Sequence, residues 1–474
     1  MSPGRAASAA LVVSVLGCAV GPNYRRPELP TPPSFRDAAE EQASIADLPW
    51  WEVFHDDVLQ GLIRDTLASN RDLMTAVANV EQARDAAAVQ RGQLFPQASY
   101  QGQVDRGKHA LFGSPSLLPE AQNTFFGVLN AAWEIDIWGR IRRATESARA
   151  QMLASDAVRR GVVLSLVTGV AQAYLELREL DLELEISNRN VQSFQETYEL
   201  FKRQYQGGVT SLLDPLRGEA ALAEVAAAVP DLERQIVAKE NELSVLLGRP
   251  AAEIPRGAAL VDQTLPPDPP AGVPSLLLER RPDVIEAEQN LIAANAAIGV
   301  AFAQFFPQIG LSALYGAVSN ELSDFLKSGA TAWSYGAQLS GPLWTWGQTW
   351  YAWKAAKAAD QASIYEYQQS VLVALEDVSN ALTARQKVAL QREQLERQVN
   401  ALTESVRVAK IRYVGGLATY IEVLDAQQQL FPAELALAQA QLDERLAVVA
   451  LYRALGGGWS TADAPPKIPL PFAP

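Results

Sequence analysis

Leu94-Phe95-Pro96-Gln97 returns later in the chain as Phe305-Phe306-Pro307-Gln308, and this recurrence decides the predicted fold. The separations lie between 208 residues (Trp138 to Trp346) and 211 residues (Phe95 to Phe306). A separation this constant predicts one structural unit present twice. The other matches are Ile137-Trp138-Gly139-Arg140 with Thr345-Trp346-Gly347-Gln348, Tyr205-Gln206-Gly207-Gly208 with Tyr413-Val414-Gly415-Gly416, Asp214 with Asp425, and Leu247-Gly248 with Leu455-Gly456.

The repeat defines the predicted division of the chain. The two units cover residues 57–254 and 275–458, and a proline-rich linker at 255–274 joins them. An N-terminal segment at 18–56 precedes the first unit, and a proline-rich tail at 459–474 follows the second.

Each unit contains one very long predicted helix. From Val162 to Tyr205, apolar side chains recur every three or four residues, which is typical of one helical stripe. A helix from about Arg140 to Gln206 is about 100 Å long at about 1.5 Å per residue, and its counterpart runs from about Gln348 to Tyr413. Stripes of this length favour coiled-coil packing against neighbouring helices.

Four segments alternate between apolar and polar residues, at 97–105, 124–136, 308–318 and 331–343. A period of two gives each strand one apolar and one polar face. Strands of about ten residues with this pattern are typical of membrane β-barrels, whereas the alternative is two amphipathic hairpins on a soluble protein. Five tryptophans gather near the end of the fourth strand, where an aromatic belt would lie: Trp333, Trp344, Trp346, Trp350 and Trp353.

Four strands cannot close a membrane barrel alone. Single-chain barrels begin at about eight strands, and an open edge in lipid leaves backbone groups without hydrogen-bond partners. Two copies would give about eight strands and three about twelve, and only the larger ring leaves a water-filled lumen. The predicted fold is mainly helical, with a β-barrel completed by several chains and a long hollow coiled-coil tube.

The amino terminus is typical of a secreted lipoprotein. Residues 1–17 are interpreted as a signal peptide that is too short to span a bilayer as a helix. Val15-Leu16-Gly17-Cys18 resembles a bacterial lipobox, in which cleavage exposes Cys18 for lipid attachment. The alternative is a plain signal peptide with an incidental cysteine.

Composition excludes several other classes. The 474 residues include 54 acidic and 40 basic side chains, a net charge of −14, and no strongly basic block, which disfavours a nucleic-acid partner. Cys18 is the single cysteine, which excludes an intrachain disulfide and a multi-cysteine zinc site. No phosphate-binding loop, nucleophile elbow or zinc-protease motif is present, so we predict no catalysis, cofactor or metal site. His55 and His109 are interpreted as solvated.

A set of motifs is spread over the chain: Gly21-Pro22-Asn23-Tyr24, Trp50-Trp51, Asn70-Arg71-Asp72-Leu73, Arg280-Arg281-Pro282-Asp283-Val284, Glu286-Ala287-Glu288 and Ala293-Ala294-Asn295-Ala296. Together they resemble the outer-membrane efflux proteins (TolC-like outer-membrane factors), particularly the lipoprotein branch that serves resistance-nodulation-division pumps. The resemblance implies a homotrimer with a twelve-stranded outer-membrane barrel and a periplasmic tunnel of twelve helices. It also implies a periplasmic adaptor protein and an inner-membrane transporter of that class as partners. Arg281-Pro282-Asp283 is also typical of a helix start, because proline and an acidic residue favour the first turn.

The predicted functional residues lie at two turns between helices, because glycine pairs there can end one helix and begin the next. These helix-turn glycines are Gly207, Gly208, Gly415 and Gly416. The resemblance implies that Ile421 and Asp425 form the closed aperture of a periplasmic gate, and that Arg412, Tyr413, Tyr205 and Asp214 tether the helices. Gln204 occupies the position that matches Arg412, so only one turn carries the arginine. The alternative is a set of ordinary exposed residues that form weak ion pairs.

The predicted function is the outer-membrane channel of a tripartite efflux pump. It would be lipid-anchored, extend into the periplasm and passively conduct drugs or other small toxic compounds. The alternatives are a type I protein-secretion duct with the same fold and a structural envelope lipoprotein without a pore. The lipobox and the Arg281-Pro282-Asp283 motif favour efflux over protein export. An acidic ring at Asp425 predicts a preference for cations.

Overall fold

The computed structural model describes residues 19–29, 56–107, 122–263 and 280–457. Several sequence predictions therefore fall outside the described residues. They concern the signal peptide, Cys18, Trp50-Trp51, His55, His109, most of the linker and the tail from residue 459.

Seven helices and four strands make up the described ranges. Three short 3-10 turns accompany them. The elements are α1 (Asp57–Ser69), α2 (Arg71–Gly92), β1 (Gln97–Gly107), β2 (Gln122–Ile135), α3 (Arg140–Gln206), α4 (Leu213–Leu246), α5 (Pro282–Ala303), β3 (Gln308–Ser319), β4 (Thr331–Ser340), α6 (Gln348–Val414) and α7 (Tyr420–Ala454).

Local chemistry explains where several helices begin. The Asp56 side chain accepts hydrogen bonds from two backbone N–H groups of the first turn of α1, and Asn70 does the same for α2. These caps satisfy donors that lack a partner within the helix. Pro282 occupies the first turn of α5, directly after Arg281, as the sequence predicts.

The two longest helices, α3 and α6, have 67 residues each. At about 1.5 Å per residue, each is about 100 Å long. The observed α3 has the predicted bounds, and α6 ends at Val414, one residue beyond its predicted end. Each follows a left-handed glycine, Gly139 with φ 76° and Gly347 with φ 84°, which turns the chain from strand to helix.

The helices pack side by side in a fixed order. α3 contacts α2, α4, α5 and α7, α4 also touches α7, and α6 packs against α5 and α7. In this series of contacts, α2 and α6 lie at opposite ends. Among the described residues, none of the helices is both long and apolar enough to cross a bilayer.

The largest apolar core lies where α1, α3, α4 and α7 meet. Tyr174 and Tyr452 are fully buried in it. The Tyr174 hydroxyl donates to Asp56 at 3.1 Å, and the Gln263 amide donates to the same carboxylate at 3.2 Å. These polar contacts fix the start of α1 against the long helix.

The strands form one antiparallel sheet in the order β1-β2-β3-β4. Tyr100, Leu129, Tyr315 and Trp333 are paired neighbours in one row of the sheet. The adjacent row brings Asn130 beside Leu314 and Ser334 on the opposite face. The alternation predicted from the sequence thus gives a sheet with one apolar face and one predominantly polar face.

The fourth strand ends at Ser340, three residues before the predicted end at residue 343. Pro342 has no backbone N–H and cannot donate to a neighbouring strand. Within the described part of the chain, β1 and β4 each pair with one other strand, so both are edges of the sheet.

Candidate functional site at the two helix turns

Two turns of the same kind join α3 to α4 and α6 to α7. Gly208 and Gly416 adopt left-handed φ values of 72° and 71°. The N–H of Val209 donates to the carbonyl of Gln204 at 2.9 Å, and the N–H of Leu417 donates to that of Arg412 at 2.8 Å. These bonds satisfy carbonyl groups at the end of each long helix. Gly207 and Gly415 directly follow the helices as their C-terminal caps.

The turns correct one sequence match. Asp214 lies in the first turn of α4, six residues after Gly208, and Glu422 lies in the first turn of α7, six residues after Gly416. Glu422, and not Asp425, is therefore the positional counterpart of Asp214. Matching by residue type was wrong here, because Asp425 lies almost one helical turn further along α7.

Glu422 is also a residue that the sequence reasoning missed. It forms a reciprocal capping box with Thr419 at the start of α7. The signal was present, since threonine followed three residues later by glutamate is typical of this motif. Arg412 lies 4.0 Å from Glu422 and donates to the carbonyl of Leu417 at 3.3 Å. Both side chains of this ion pair are about half exposed, so it contributes little stability by itself.

Tyr413 joins the two hairpins. Its hydroxyl donates to Gln204 Oε1 at 2.6 Å. Its ring meets the Phe201 ring edge-on, with centroids 6.0 Å apart, and the centroid of the Tyr420 ring lies 3.5 Å from that of Phe201. Phe201 is almost completely buried. The predicted tether residue Tyr413 therefore contacts the residue that takes the place of an arginine in the first turn.

The other predicted gate residues are more exposed. Ile421 is 56% exposed and Tyr205 42% exposed. Asp425 accepts a hydrogen bond from Gln429, one turn further along the same helix, at 2.8 Å. Asp214 lies near Tyr420; burial, assisted by the Asp214 carboxylate, raises the pKa of Tyr420 to about 12. In the hydrogen bonds and ion pairs of the described residues, Arg412 is not joined to Asp214 or Asp425.

A buried polar cluster lies further from the turns, between α3 and the α6–α7 hairpin. Gln427 is 3% exposed and donates to Ser193 Oγ at 2.9 Å and to Thr197 Oγ1 at 3.3 Å. Lys410 donates to the same Ser193 oxygen at 3.2 Å. Sequence reasoning missed this cluster, because its members are more than two hundred residues apart along the chain.

Deeper in the helical region, four carboxylates meet on α3 and α7. Glu179 is 4% exposed. Burial raises the pKa of Glu179 to about 8, and the hydrogen bond to Glu183 and the charges of Glu183, Asp443 and Glu176 act in the same direction. Lys239 pairs with Glu176 at 2.7 Å and neutralises one of them. No group of three or more potential ligands in the described ranges is placed to hold a metal ion.

The N-terminal segment lies against the junction of sheet and helices. The N–H of Val20 donates to the carbonyl of Trp138 at 3.0 Å, and Arg143 donates to the Asn23 side chain at 2.7 Å. Ala19 touches Gly139 so closely that a Cβ there would lie 2.6 Å from the Ala19 Cβ. The residue after Cys18 is therefore held where β2 passes into α3.

Comparison with known proteins gives consistent matches over almost the whole chain. The outer membrane efflux protein family matches residues 62–249 and 273–457. The toluene efflux pump outer membrane protein TtgC of Pseudomonas putida is 32% identical over 453 residues, 94% of this chain and 93% of TtgC. The cation efflux system protein CusC of Escherichia coli is 29% identical over 467 residues, 97% of this chain and 100% of CusC. The open-state MtrE outer membrane channel of Neisseria gonorrhoeae superimposes with a TM-score of 0.84 at 32% identity, covering 93% of this chain and 98% of MtrE.

Proposed function

Because the chain belongs to the outer membrane efflux protein family, we propose that it is a gated duct through which a tripartite pump passively expels drugs or other small toxic compounds. The protein is an outer-membrane efflux channel that extends into the periplasm. The relatives' names span toluene and cations, which supports a duct that carries whatever its pump delivers. The proposed partners are a periplasmic adaptor and an inner-membrane transporter of the resistance-nodulation-division class.

The proposed assembly is a homotrimer. Each protomer ends in unpaired strand edges, β1 and β4, within its described part, and in outer helices on both sides. An open strand edge in lipid leaves backbone donors and acceptors unsatisfied, so the sheet must continue into another copy. Joining one end of a protomer to the other end of the next makes a closed ring. Three copies supply about twelve strands, the size that leaves a water-filled lumen.

Lipid attachment at Cys18 fits the same arrangement. Ala19 lies where the sheet meets the helices, which in this assembly is the periplasmic surface of the outer membrane. We place an acyl chain on the preceding residue in the inner leaflet, next to the segment from Val20 to Asn23, which is bound at the start of α3.

The proposed gate lies at the two glycine turns. Ile421 and Asp425 narrow the pore, while Arg412, Tyr413, Tyr205 and Asp214 help to hold the hairpins together. The observation that carries this proposal is the hydrogen bond from Tyr413 to Gln204, which directly joins the α6–α7 hairpin to α3. Contact with the adaptor would favour the arrangement in which this joint is broken.

Single-channel recording in planar bilayers tests the gate. Tyr413→Phe removes one hydroxyl and keeps the ring, so we expect a higher open probability than in the wild type. The double variant Arg412→Ala with Asp425→Ala should raise conductance further. Tyr365→Phe, at an exposed tyrosine of α6, is the matched control and should leave the current unchanged. Unaltered conductance in folded trimers of both gate variants would count against the gate.

A further inference from the structure

The seam between the two halves of one protomer has a defined geometry. In this β2–β3 seam, Asn130 pairs with Leu314 and Ala131 with Ala313. At its end, the Trp138 ring stacks on Phe306 with centroids 4.5 Å apart and planes at 21°. The Trp138 indole N–H also donates to the carbonyl of Pro307 at 2.8 Å.

The two hairpins of the sheet share one register. Gln97 pairs with Ala132 in the first hairpin, and Gln308 pairs with Ser340 in the second. The leading strands are thus offset by 211 residues (97 to 308) and the following strands by 208 (132 to 340). These are the two offsets of the sequence repeat, so β1 corresponds to β3 and β2 corresponds to β4, residue by residue.

The residues that would continue this pattern lie at the two open edges. Trp346 is the counterpart of Trp138, and Phe95 is the counterpart of Phe306. The Trp346 side chain is 88% exposed and Phe95 is 44% exposed. The backbone of Trp346 differs from that of Trp138, since its φ of 50° is the one positive value at a non-glycine residue in the described ranges.

We propose that the seam between protomers copies the β2–β3 seam within a protomer, an inference that rests on the ring assembly proposed above. Carried over by the two offsets, the pair Asn130–Leu314 becomes Gln338 with Gln103 of the partner subunit. The pair Ala131–Ala313 becomes Leu339 with Gly102 of the partner subunit. Trp346 then stacks on Phe95 of the partner subunit, as Trp138 stacks on Phe306.

The faces of the sheet agree with this register. It places Leu339 beside Gly102 of the partner subunit on the apolar face, and Gln338 beside Gln103 of the partner subunit on the polar face. A shift by one residue would move polar side chains to the lipid-facing surface. A shift by two would preserve the faces, but it would move Trp346 about 7 Å along the strand, away from its aromatic partner. The aromatic pair therefore selects one register among those that alternation permits.

Cysteine cross-linking in the full-length protein tests the register. We expect Gln338→Cys with Gln103→Cys to form disulfide-linked dimers and trimers on oxidation, visible on non-reducing gels and reversed by reductant. Directly opposed residues lie about 5 Å apart, whereas diagonal neighbours lie about 7–8 Å apart, beyond good disulfide geometry. The shifted pairs Gln338→Cys with Gln101→Cys and Gln338→Cys with Asp105→Cys should therefore cross-link at least several-fold less.

Two controls make the test decisive. Asn130→Cys with Leu314→Cys places the same geometry inside one protomer and should protect its thiols from maleimide without linking protomers. The single-cysteine variants report any linkage through Cys18. Stronger linkage by a shifted pair overturns the proposed register. Native mass spectrometry could show trimers, and the internal control could form its disulfide, while none of the three pairs cross-links. In that case the copied seam is wrong, although the proposed trimer is retained. A monomer in native mass spectrometry refutes the assembly itself.

Discussion

Replacing Glu179 with glutamine should abolish a pH dependence of stability that this residue gives the helical tube. Glu179 is almost fully buried on α3, where burial raises the pKa of its carboxyl group to about 8. Glu183, Asp443 and Glu176 surround it, and Lys239 balances only Glu176. The folded protein therefore keeps a proton on Glu179 at a pH where the unfolded chain has lost it.

The sign and size follow from proton linkage. An ordinary glutamate titrates near 4.3, so between about pH 5 and pH 8 the folded protomer binds one more proton than the unfolded one. The free energy of unfolding then falls by about 1.4 kcal/mol per protomer for each unit of rising pH in this window. Between about pH 6 and pH 7.5 the loss is about 2 kcal/mol. Below the pKa of Glu179 in the unfolded chain, both states are protonated and the stabilisation that this residue gives relative to high pH is fully present.

Denaturant unfolding followed by circular dichroism measures this slope, because the midpoint moves with stability. We expect the denaturant midpoint of the wild type to fall as the pH rises. The midpoint of Glu179→Gln should fall less steeply, because this variant lacks the one extra proton that the folded wild-type protomer binds. Glu185→Gln, at an exposed glutamate of the same helix, should keep the wild-type slope. An unchanged slope in Glu179→Gln would show that the carboxyl group is already ionised in the folded protein, and the reasoning would fail.

Three further changes test other parts of the structure. Gly208→Ala should lower the free energy of unfolding by about 1 kcal/mol, because alanine resists a left-handed φ. Gly61→Ala should raise this free energy slightly, because a Cβ at this helical position of α1 meets no other atom. Urea titration measures both changes. Asp425→Asn should reduce the preference for cations in reversal-potential measurements across a salt gradient, since a ring of carboxylates concentrates cations. Cys18→Ser should yield a protein whose mass lacks the acyl groups that we expect on the wild type, and a mass difference equal to the sulfur-to-oxygen exchange alone would exclude lipid attachment at this position.

The elements with a regular pattern could be predicted from the sequence. The apolar stripe from Val162 to Tyr205 predicted the larger part of α3 and its end, because a helix this long repeats its period many times. The end of β4 was missed, because alternation continues through residue 343 although Pro342 cannot donate to a ladder. The strand therefore ends where its backbone can no longer donate hydrogen bonds, although the side-chain pattern continues.

The candidate site was less predictable, because its contacts join distant parts of the chain. The glycine turns followed from the repeat, and the resemblance to the family implied the role of Tyr413, but the partner of Tyr413 was not predicted, since nothing local relates it to Gln204. The buried position of Gln427 depends on how α7 is rotated against α3. That rotation is set by tertiary packing, which no single segment of the sequence contains.

The distribution of contacts along the hairpins bears on how the proposed gate would open without unfolding the tube. Near the turns, the hairpins are joined by the hydrogen bond from Tyr413 and by an apolar cluster that includes Phe201 and Tyr420, whereas the Arg412–Glu422 ion pair is exposed to solvent. At the other end of α7, Tyr452 lies in the largest apolar core, with the α1 and α3 side chains closely packed around it. Separating the tip would therefore expose a smaller apolar surface than separating the base, which contains the largest core. We therefore expect the α6–α7 hairpin to pivot about its base. A movement that extends from the tip as far as Gln427 would also have to break the buried hydrogen bonds from Gln427 to α3.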